Sequence, residues 1–383
     1  MDLHIKLFNI YMIFLIRGGN LFMKEFKEKL TSRERFARTY QHKEADRVPI
    51  MDSPWGATIR RWIREGMPNN ISWIDYFGLD HTFGIHSDNS PRYEAKVIED
   101  KEDYYIDVSS WGVTMKHWKN TESTPEFLDF KITDAESWKD AKERMTPSRD
   151  RVNWDYLKKN YKRSRDELGA WIMGNLWFGF DVTHSWFIGT ERVLMAMIED
   201  PEWCLDMFTR ELDVSLAALE MVWDEGYHFD EVTWPEDLGY KHNLFFSINK
   251  YVELLKPLHK KVIDWAHEKG VYVRMHSCGD ITPLVPQFYE IGMDALNPLE
   301  VKAGVNPVEL KKKFGDKMTF HGGINAVLWD DKDAITAEIK RVLPVMKENG
   351  GYIFASDHSI PDSVSLENFR HIISVVKEVG SYE

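Results

Sequence analysis

The sequence predicts an α/β chain folded as a (β/α)8 TIM barrel, with an N-terminal helical extension and an antiparallel β excursion on one barrel loop. Three observations lead there. Short apolar runs of strand length recur eight times from about residue 48 onward, helix-length stretches separate the later ones, and several runs stop abruptly at polar or metal-competent side chains. A parallel barrel keeps its chemistry at the C-terminal ends of its strands. With 383 residues, 43% hydrophobic and 29% charged, the chain is long enough for one large barrel domain with a sizeable core.

Residues 1–22 stand apart from the rest of the chain. L-F-N-I-Y-M-I-F-L-I (7 to 16) is apolar but too short to span a bilayer as a helix. It is not a convincing signal peptide, because M-D-L-H-I-K before it has no net positive charge and no small-x-small cleavage site comes after it. Arg17, Gly18, Gly19 and Asn20 can be encoded by a purine-rich stretch of ribosome-binding type shortly before Met23. Translation is therefore expected to start at Met23, leaving residues 23–383 as the single domain.

From Met23 the grammar repeats. A charged amphipathic helix, E-F-K-E-K-L-T-S-R-E-R-F-A-R-T-Y, leads into A-D-R-V-P-I-M-D-S, a first strand beginning near Val48. Further strands are expected at 83–87, 170–177, 230–234, 271–276, 295–300, 318–324 and 352–356. Helical stretches such as 249–269 and 333–349 lie between the later ones. Residues 92–132 interrupt the alternation with period-two patterning on both sides of E-D-K-E-D, which predicts an antiparallel wall or lid on a barrel loop.

Charge and cysteine content narrow the function. A formal net charge of −13 disfavours nucleic acid or an anionic membrane as partner. Cys204 and Cys278 are the only cysteines and lack C-x-x-C spacing, so no disulfide framework is expected and a cytoplasmic setting is the default. Cys204 reads as a helix-face residue.

The residues that terminate each strand outline a site. Asp52 and Trp55 follow the first strand, His86 and Asp88 the second, Asn175 and Trp177 the third, and Trp234, Glu236 and Asp237 the fourth. His276 and Cys278 end the fifth, Asn297 and Glu300 the sixth, His321 and Asn325 the seventh, and Asp357 and His358 the eighth. His276 and Cys278 are two apart, so on a continuing strand they share a face. With His358 they form a thiolate and two imidazoles, a set that suits zinc. H-x-C is a weaker signal than paired C-x-x-C motifs, and a buried His or Cys is often only a core residue. Asp280 reads as a helix cap. For Asp52, Asp88, Glu300 and Asn325, capping or turn formation competes evenly with function. Trp55, Trp177 and Trp234, with Asn175 and His321, are expected to wall a substrate pocket, although large aromatics also simply fill a rim.

H-S-C-G-D-I-x-x-L-V, D-A-L-N-P-L-E, F-H-G-G-I and S-D-H-S-I-P-D-S-V-S-L-E-N resemble the uroporphyrinogen decarboxylase superfamily, as does R-E-R-F-x-R-T-Y-x-H-K-E-A-D-R-V-P near the N-terminus. The resemblance runs from about Thr31 to Val379 and implies a (β/α)8 barrel. It offers two chemistries. One branch removes tetrapyrrole carboxylates without a cofactor; the other comprises zinc methyltransferases that act on a corrinoid.

The decarboxylases resembled here carry R-Q-A-G-R after the first strand, with arginines suited to bidentate pairing with substrate carboxylates. This chain has M-D-S-P-W-G-A-T-I there, and Arg60 and Arg61 lie farther along in a helix. The methyltransferase branch is marked by H-x-C on the fifth strand and a cysteine after the eighth. His276 and Cys278 match the first mark, whereas His358 replaces the cysteine. The decarboxylases also have a histidine near there, so the metal expectation rests mainly on Cys278. The resemblance thus implies zinc held by His276, Cys278 and His358, with Glu236 or Asp237 as a displaceable ligand or proton donor. It further implies a small methylated donor, with methoxylated aromatics favoured. The corrinoid (cobalamin) is expected on a partner protein, since no D-x-H-x-x-G signature is present. A cofactor-free decarboxylase and a non-catalytic tetrapyrrole-binding relative are the alternatives.

Overall fold

The computed structural model describes residues 29–120 and 124–382. The apolar run at 7–16 and the expected start at Met23 lie outside the described residues. Seven parallel strands follow the order β1 (Thr82–Ile85), β6 (Trp171–Asn175), β7 (Glu231–Pro235), β10 (Tyr272–His276), β11 (Ala295–Asn297), β12 (Thr319–His321) and β13 (Tyr352–Ile353). The segment 48–51 supplies the eighth position. Ile50 makes a parallel bridge to Phe354, with Met51 N–H on the Phe354 carbonyl at 3.1 Å and Phe354 N–H on the Pro49 carbonyl at 2.8 Å. On its other side the Ile50 carbonyl accepts Asp80 N–H at 3.2 Å, two residues before β1. The ring is a (β/α)8 barrel, and its eight strands fall where the apolar runs predicted them.

Between β1 and β6 the chain makes the expected excursion, a four-stranded antiparallel sheet of β2 (Lys96–Asp100), β3 (Tyr104–Val108), β4 (Val113–Trp118) and β5 (Glu126–Phe130). It packs beside the segment after β6: Trp111 meets the Phe187 ring edge-on at 5.1 Å, and Phe127 meets Trp186 at 6.2 Å. A small hairpin, β8 (Gly239–Tyr240) and β9 (Asn243–Leu244), comes after β7.

The N-terminal helix Ser32–Tyr40 is started by a capping box, in which Thr31 accepts Glu34 N–H and Glu34 accepts Thr31 N–H. Its apolar face does not join the main core. Phe36 and Tyr40 instead form a separate buried cluster with Trp171, Ala295 and Ile353, against Met51, Met173 and Tyr272. These residues come from strands around the barrel, so the helix plugs the N-terminal mouth of the lumen. Tyr40 stacks between Trp171 at 5.5 Å and Tyr272 at 4.7 Å. Its hydroxyl donates to the buried Glu231 at 2.6 Å, which also accepts Trp171 Nε1–H at 2.9 Å and Arg274 Nε–H at 2.7 Å. The conspicuous R-E-R-F…A-D-R-V-P stretch is a latch for this plug. Arg35 pairs with Asp46 at 2.7 Å and with Asp80, and Arg47 reaches Asp80 at 2.7 Å. Burial pushes the Asp80 carboxyl upward, but Arg47 and Arg35 outweigh it and hold the group below the usual carboxylate range.

With the lower mouth closed, the lumen opens at the C-terminal ends of the strands. Among the described residues no helix is long and apolar enough to cross a membrane.

Candidate metal centre at the C-terminal rim

Strand parity decides which side chains reach the lumen. Register partners on parallel strands point to the same face. Ala295 and Ile353 face the plug helix inside the barrel, so Asn297, two residues on, and His321, the register partner of Ile353, face inward too. His276 is the partner of Asn297 and of Pro235, which turns Asp237 inward and sends Trp234 and Glu236 to the outer layer.

Beyond β10 the backbone is tied down at each residue. Ser277 N–H donates to the Asn297 carbonyl at 2.7 Å, Cys278 N–H to Asp237 Oδ1 at 2.8 Å and Gly279 N–H to Glu300 Oε2 at 2.6 Å. Gly279 has φ +81, and a Cβ there would sit 2.2 Å from the Gly239 carbonyl carbon. Only glycine allows this left-handed turn and lets the β8–β9 hairpin cross it backbone against backbone.

This folding gathers Asp237, His276 and Cys278, with one ligand atom from each lying within 4.8 Å of the others. Cys278 Sγ is 3.4 Å from His276 Nε2, which is 3.7 Å from Asp237 Oδ1. His276 Nδ1–H donates to Asn297 Oδ1 at 2.8 Å. That bond leaves the Nε2 lone pair facing the thiol and the carboxylate, the tautomer a metal requires. The electrostatics fit a cation equally well. Burial, then Asp237 and Glu300, drives the Cys278 thiol far above its ordinary range, and burial, then Asp181, raises the Asp237 carboxyl. A thiol and carboxylates crowded beside an imidazole are a donor set that a divalent ion relieves, and N, O and S ligands at half-buried positions suit zinc.

His358 stands outside this triplet, within electrostatic reach of His276, Glu300 and Asp237. His358 is exposed, and its Nδ1 pairs with Ser359 Oγ at 2.9 Å. The Ser359 hydroxyl also accepts Trp55 Nε1–H at 2.6 Å, and Ile360 exchanges backbone bonds with Ser53 and Trp55 at 3.1 Å. The loop bearing His358 is thus stitched to the extension of the first strand, while Asp237 occupies the place beside β10.

Glu236 also stands outside the triplet. It is fully buried, accepts Phe180 N–H at 2.7 Å and faces His259 Nε2 at 3.4 Å. Gly179, at φ +98, leaves room for it, since a Cβ there would lie 1.9 Å from the carboxylate. Burial, then Asp181, holds its pKa well above the ordinary value. With Glu211, which accepts Gly179 N–H and Thr183 Oγ1–H at 2.8 Å each, it anchors the loop after β6. Trp234 lies in the same outer layer, 1% exposed, against Phe178 at 5.3 Å and His259 at 5.4 Å, and does not join the other expected pocket residues.

Those others divide. Asn175 donates to the Ile85 carbonyl at 3.1 Å, and a Cβ built on Gly84 would meet both its amide and His86, so these two share the lumen. Trp177 is half-buried and edge-on to Trp186 at 6.4 Å; Trp55 is 41% exposed on the rim. His321 is 4% exposed inside the barrel, with Nε2–H on the Met51 carbonyl at 2.8 Å, and burial beside Arg274 pushes its pKa down to about 3. Asp280 accepts Thr282 N–H, Asn325 caps the turn Ala326–Leu328, and Asp88 accepts Ser90 N–H and Arg92 Nε–H, all local roles. The roles of Asn297 and Glu300 as supports of His276 and Gly279 emerge only from the structure. Their one sequence signal is a polar residue at, or just past, the end of the strand next to the H-x-C segment.

Comparison with known proteins bears on this geometry. The sequence pattern of the uroporphyrinogen decarboxylase (URO-D) family matches residues 111–379. Uroporphyrinogen decarboxylase of Helicobacter pylori is 26% identical over 144 residues, covering 38% of this chain and 39% of the relative. Its counterpart from Alcanivorax borkumensis is 33% identical over 77 residues, covering 20% of this chain and 22% of the relative. The matched stretches thus span well under half of either relative. A methyltransferase from Methanosarcina mazei has a similar fold, with a TM-score of 0.63 at 15% identity over 91% of this chain and 99% of that one. With more than half its length matched by the family pattern, this chain belongs to the uroporphyrinogen decarboxylase family.

Proposed function

We propose that the chain is a zinc methyltransferase that moves a methyl group from a small methylated donor, with methoxylated aromatics favoured, to a corrinoid carried by a partner protein. The observation that supports this reading most is the convergence of Asp237, His276 and Cys278 at the open mouth of the lumen. The overall likeness to a methyltransferase fold agrees with it. A cofactor-free decarboxylase has no use for a thiol in such a cluster, and a tetrapyrrole bearing several acetates needs unpaired cations. Arg274, in the lumen, is already engaged by Glu231, and Arg61 pairs with Glu65 and donates to the carbonyls of Asp362 and Ser363.

In this reading His276, Cys278 and Asp237 hold the ion, and His358 completes the set only by leaving Ser359. Zinc, when bound, supplies a Lewis acid that polarises the heteroatom bearing the methyl group. The corrinoid supplies the nucleophile. The protein's own residues prepare the site. Asn297 fixes the His276 ring, Asp237 and Glu300 fix the backbone on either side of the thiol, and the Cys278 proton must leave for the sulfur to ligate. The plug helix and the Glu231–Arg274 network close the lumen from below, so substrate and corrinoid share the upper rim. In this reading Glu236, sealed beneath the loop after β6, supports that loop, and the proton for the departing group comes from elsewhere.

The test is methyl transfer itself. Purified chain, zinc, reduced corrinoid protein and a methoxylated aromatic should together give a phenol and a methylated corrinoid, monitored by absorption without oxygen. The chain alone should be inert. Steady conversion of uroporphyrinogen to coproporphyrinogen by the pure protein would instead establish the decarboxylase reading.

A further inference from the structure

On β12 the inward Thr319 hydroxyl and His321 Nδ1 are buried without a hydrogen-bond partner. His321 is the informative one. It is 4% exposed, and its other nitrogen is committed to the Met51 carbonyl at 2.8 Å. A carbonyl only accepts, so the ring proton sits on Nε2 and Nδ1 presents a lone pair. Burial first, then Arg274, keeps the ring neutral at ordinary pH, with the pKa down to about 3. A buried acceptor left unmet is costly, so this one favours a donor from outside the chain, a water or a substrate hydroxyl.

The acceptor lies at the level of the candidate metal centre. His276 is the register partner of Asn297, and continuing the β11–β12 register by one residue pairs Asn297 with His321. The Asn297 amide spans the two, accepting from His276 and reaching the His321 carbonyl at 3.5 Å. Two strand spacings, about 10 Å between Cα atoms, separate His276 from His321, a gap that one substituted aromatic ring can bridge once both imidazoles extend inward.

We propose that His321 Nδ1 accepts a hydrogen bond from a free hydroxyl on the methyl donor, so that the substrate class is methoxyphenols in preference to fully methylated aryl ethers. This rests on the methyl-transfer reading for placing the methoxy oxygen at Asp237, His276 and Cys278. A donor whose hydroxyl is itself methylated carries no hydrogen for Nδ1 and leaves the acceptor buried and unpaired. Sites built to bond a substrate hydroxyl reject analogues that lack it far better than apolar pockets reject a missing methylene.

Calorimetry on the zinc-loaded full chain tests this, using ortho- and para-methoxyphenol and the corresponding dimethoxybenzenes, with nitrogen NMR of the imidazoles in parallel. At least one methoxyphenol should bind about tenfold or more tighter than its ether, the size of one buried hydrogen bond. The His321 Nδ1 resonance should move with the phenol and not with the ether. His321→Phe should bring the affinity ratio to about one, and His321→Gln, which keeps an acceptor, should restore part of it. If His321→Phe does not fold, the wild-type ratio and the Nδ1 shift decide. Equal affinities, a static Nδ1 resonance, or a ratio that survives His321→Phe overturn the inference. Binding of neither compound class also overturns it, while methyl transfer from another donor would still leave the proposed function standing. Phenol-selective binding without any methyl transfer would do the reverse.

Discussion

Replacing Asn297 with leucine should cripple metal binding without touching a ligand. Its Oδ1 is the acceptor for His276 Nδ1–H at 2.8 Å, and that bond turns the Nε2 side of the ring toward Cys278 at 3.4 Å and Asp237 at 3.7 Å. Leucine has similar volume, so the lumen stays filled, but the imidazole loses its orientation and its preferred tautomer. Loss of a supporting bond of this kind typically lowers metal affinity about 10- to 100-fold. The Nδ1–H left half-buried costs roughly 1–2 kcal/mol of fold stability as well. Chelator competition measures the first effect and chemical denaturation of the metal-free protein the second. Asn297→Asp keeps the acceptor and should hold affinity near wild type. Unchanged zinc affinity in Asn297→Leu would show that His276 is not oriented by this bond or is not a ligand.

Gly279→Ala should be among the most damaging single-methyl changes on the rim. It forces a left-handed residue to carry a Cβ and drives that Cβ to 2.2 Å from Gly239, so a loss on the order of 2–3 kcal/mol and of metal binding is expected by denaturation and metal titration. Asp52 should leave a pH signature. Burial first raises its pKa to about 6, against the hydrogen bonds from Ser356 and Ser53. The folded state therefore holds this proton more tightly than the unfolded chain, and the group's contribution to stability falls as pH rises from about 4 to 6. Asp52→Asn removes that slope, so the stability difference between variant and wild type should shift toward the variant across this window. A difference that is flat with pH would place Asp52 in a solvated setting.

The barrel was legible because each strand is a compact apolar run bounded by polar residues, and V-Y-V-R-M-H-S-C-G-D marked the candidate site by stopping at His276 and Cys278. Choosing between Glu236 and Asp237 was harder. β7 is buried on both faces, as parallel strands are, so the alternation in E-V-T-W-P-E-D does not say which face lines the lumen. The same ambiguity points Trp234 to the pocket when it packs with Phe178 and His259. His358 resists placement from sequence because a strand end marks a rim position without saying which neighbour the next loop will track. β13 is two residues long, and Ile360 then runs beside Pro54. The plug helix was visible as an amphipathic helix, but its apolar face pointed equally well to the outer layer. The Arg35, Arg47, Asp46 and Asp80 latch that turns it into the lumen depends on Asp80, far along the chain from Arg35.

Zinc stoichiometry of the protein and its Cys278→Ser variant tests the metal centre most directly. Elemental analysis of protein purified without chelators should give about one zinc per chain, as a single three-ligand site with an open position binds. Cys278→Ser should lose it, and Cys204→Ser, at a buried residue of the helix Pro201–Asp224, should retain it. Wild type that carries no metal and takes up none on titration at neutral pH, or a Cys278→Ser variant that keeps a full equivalent, would contradict the assignment.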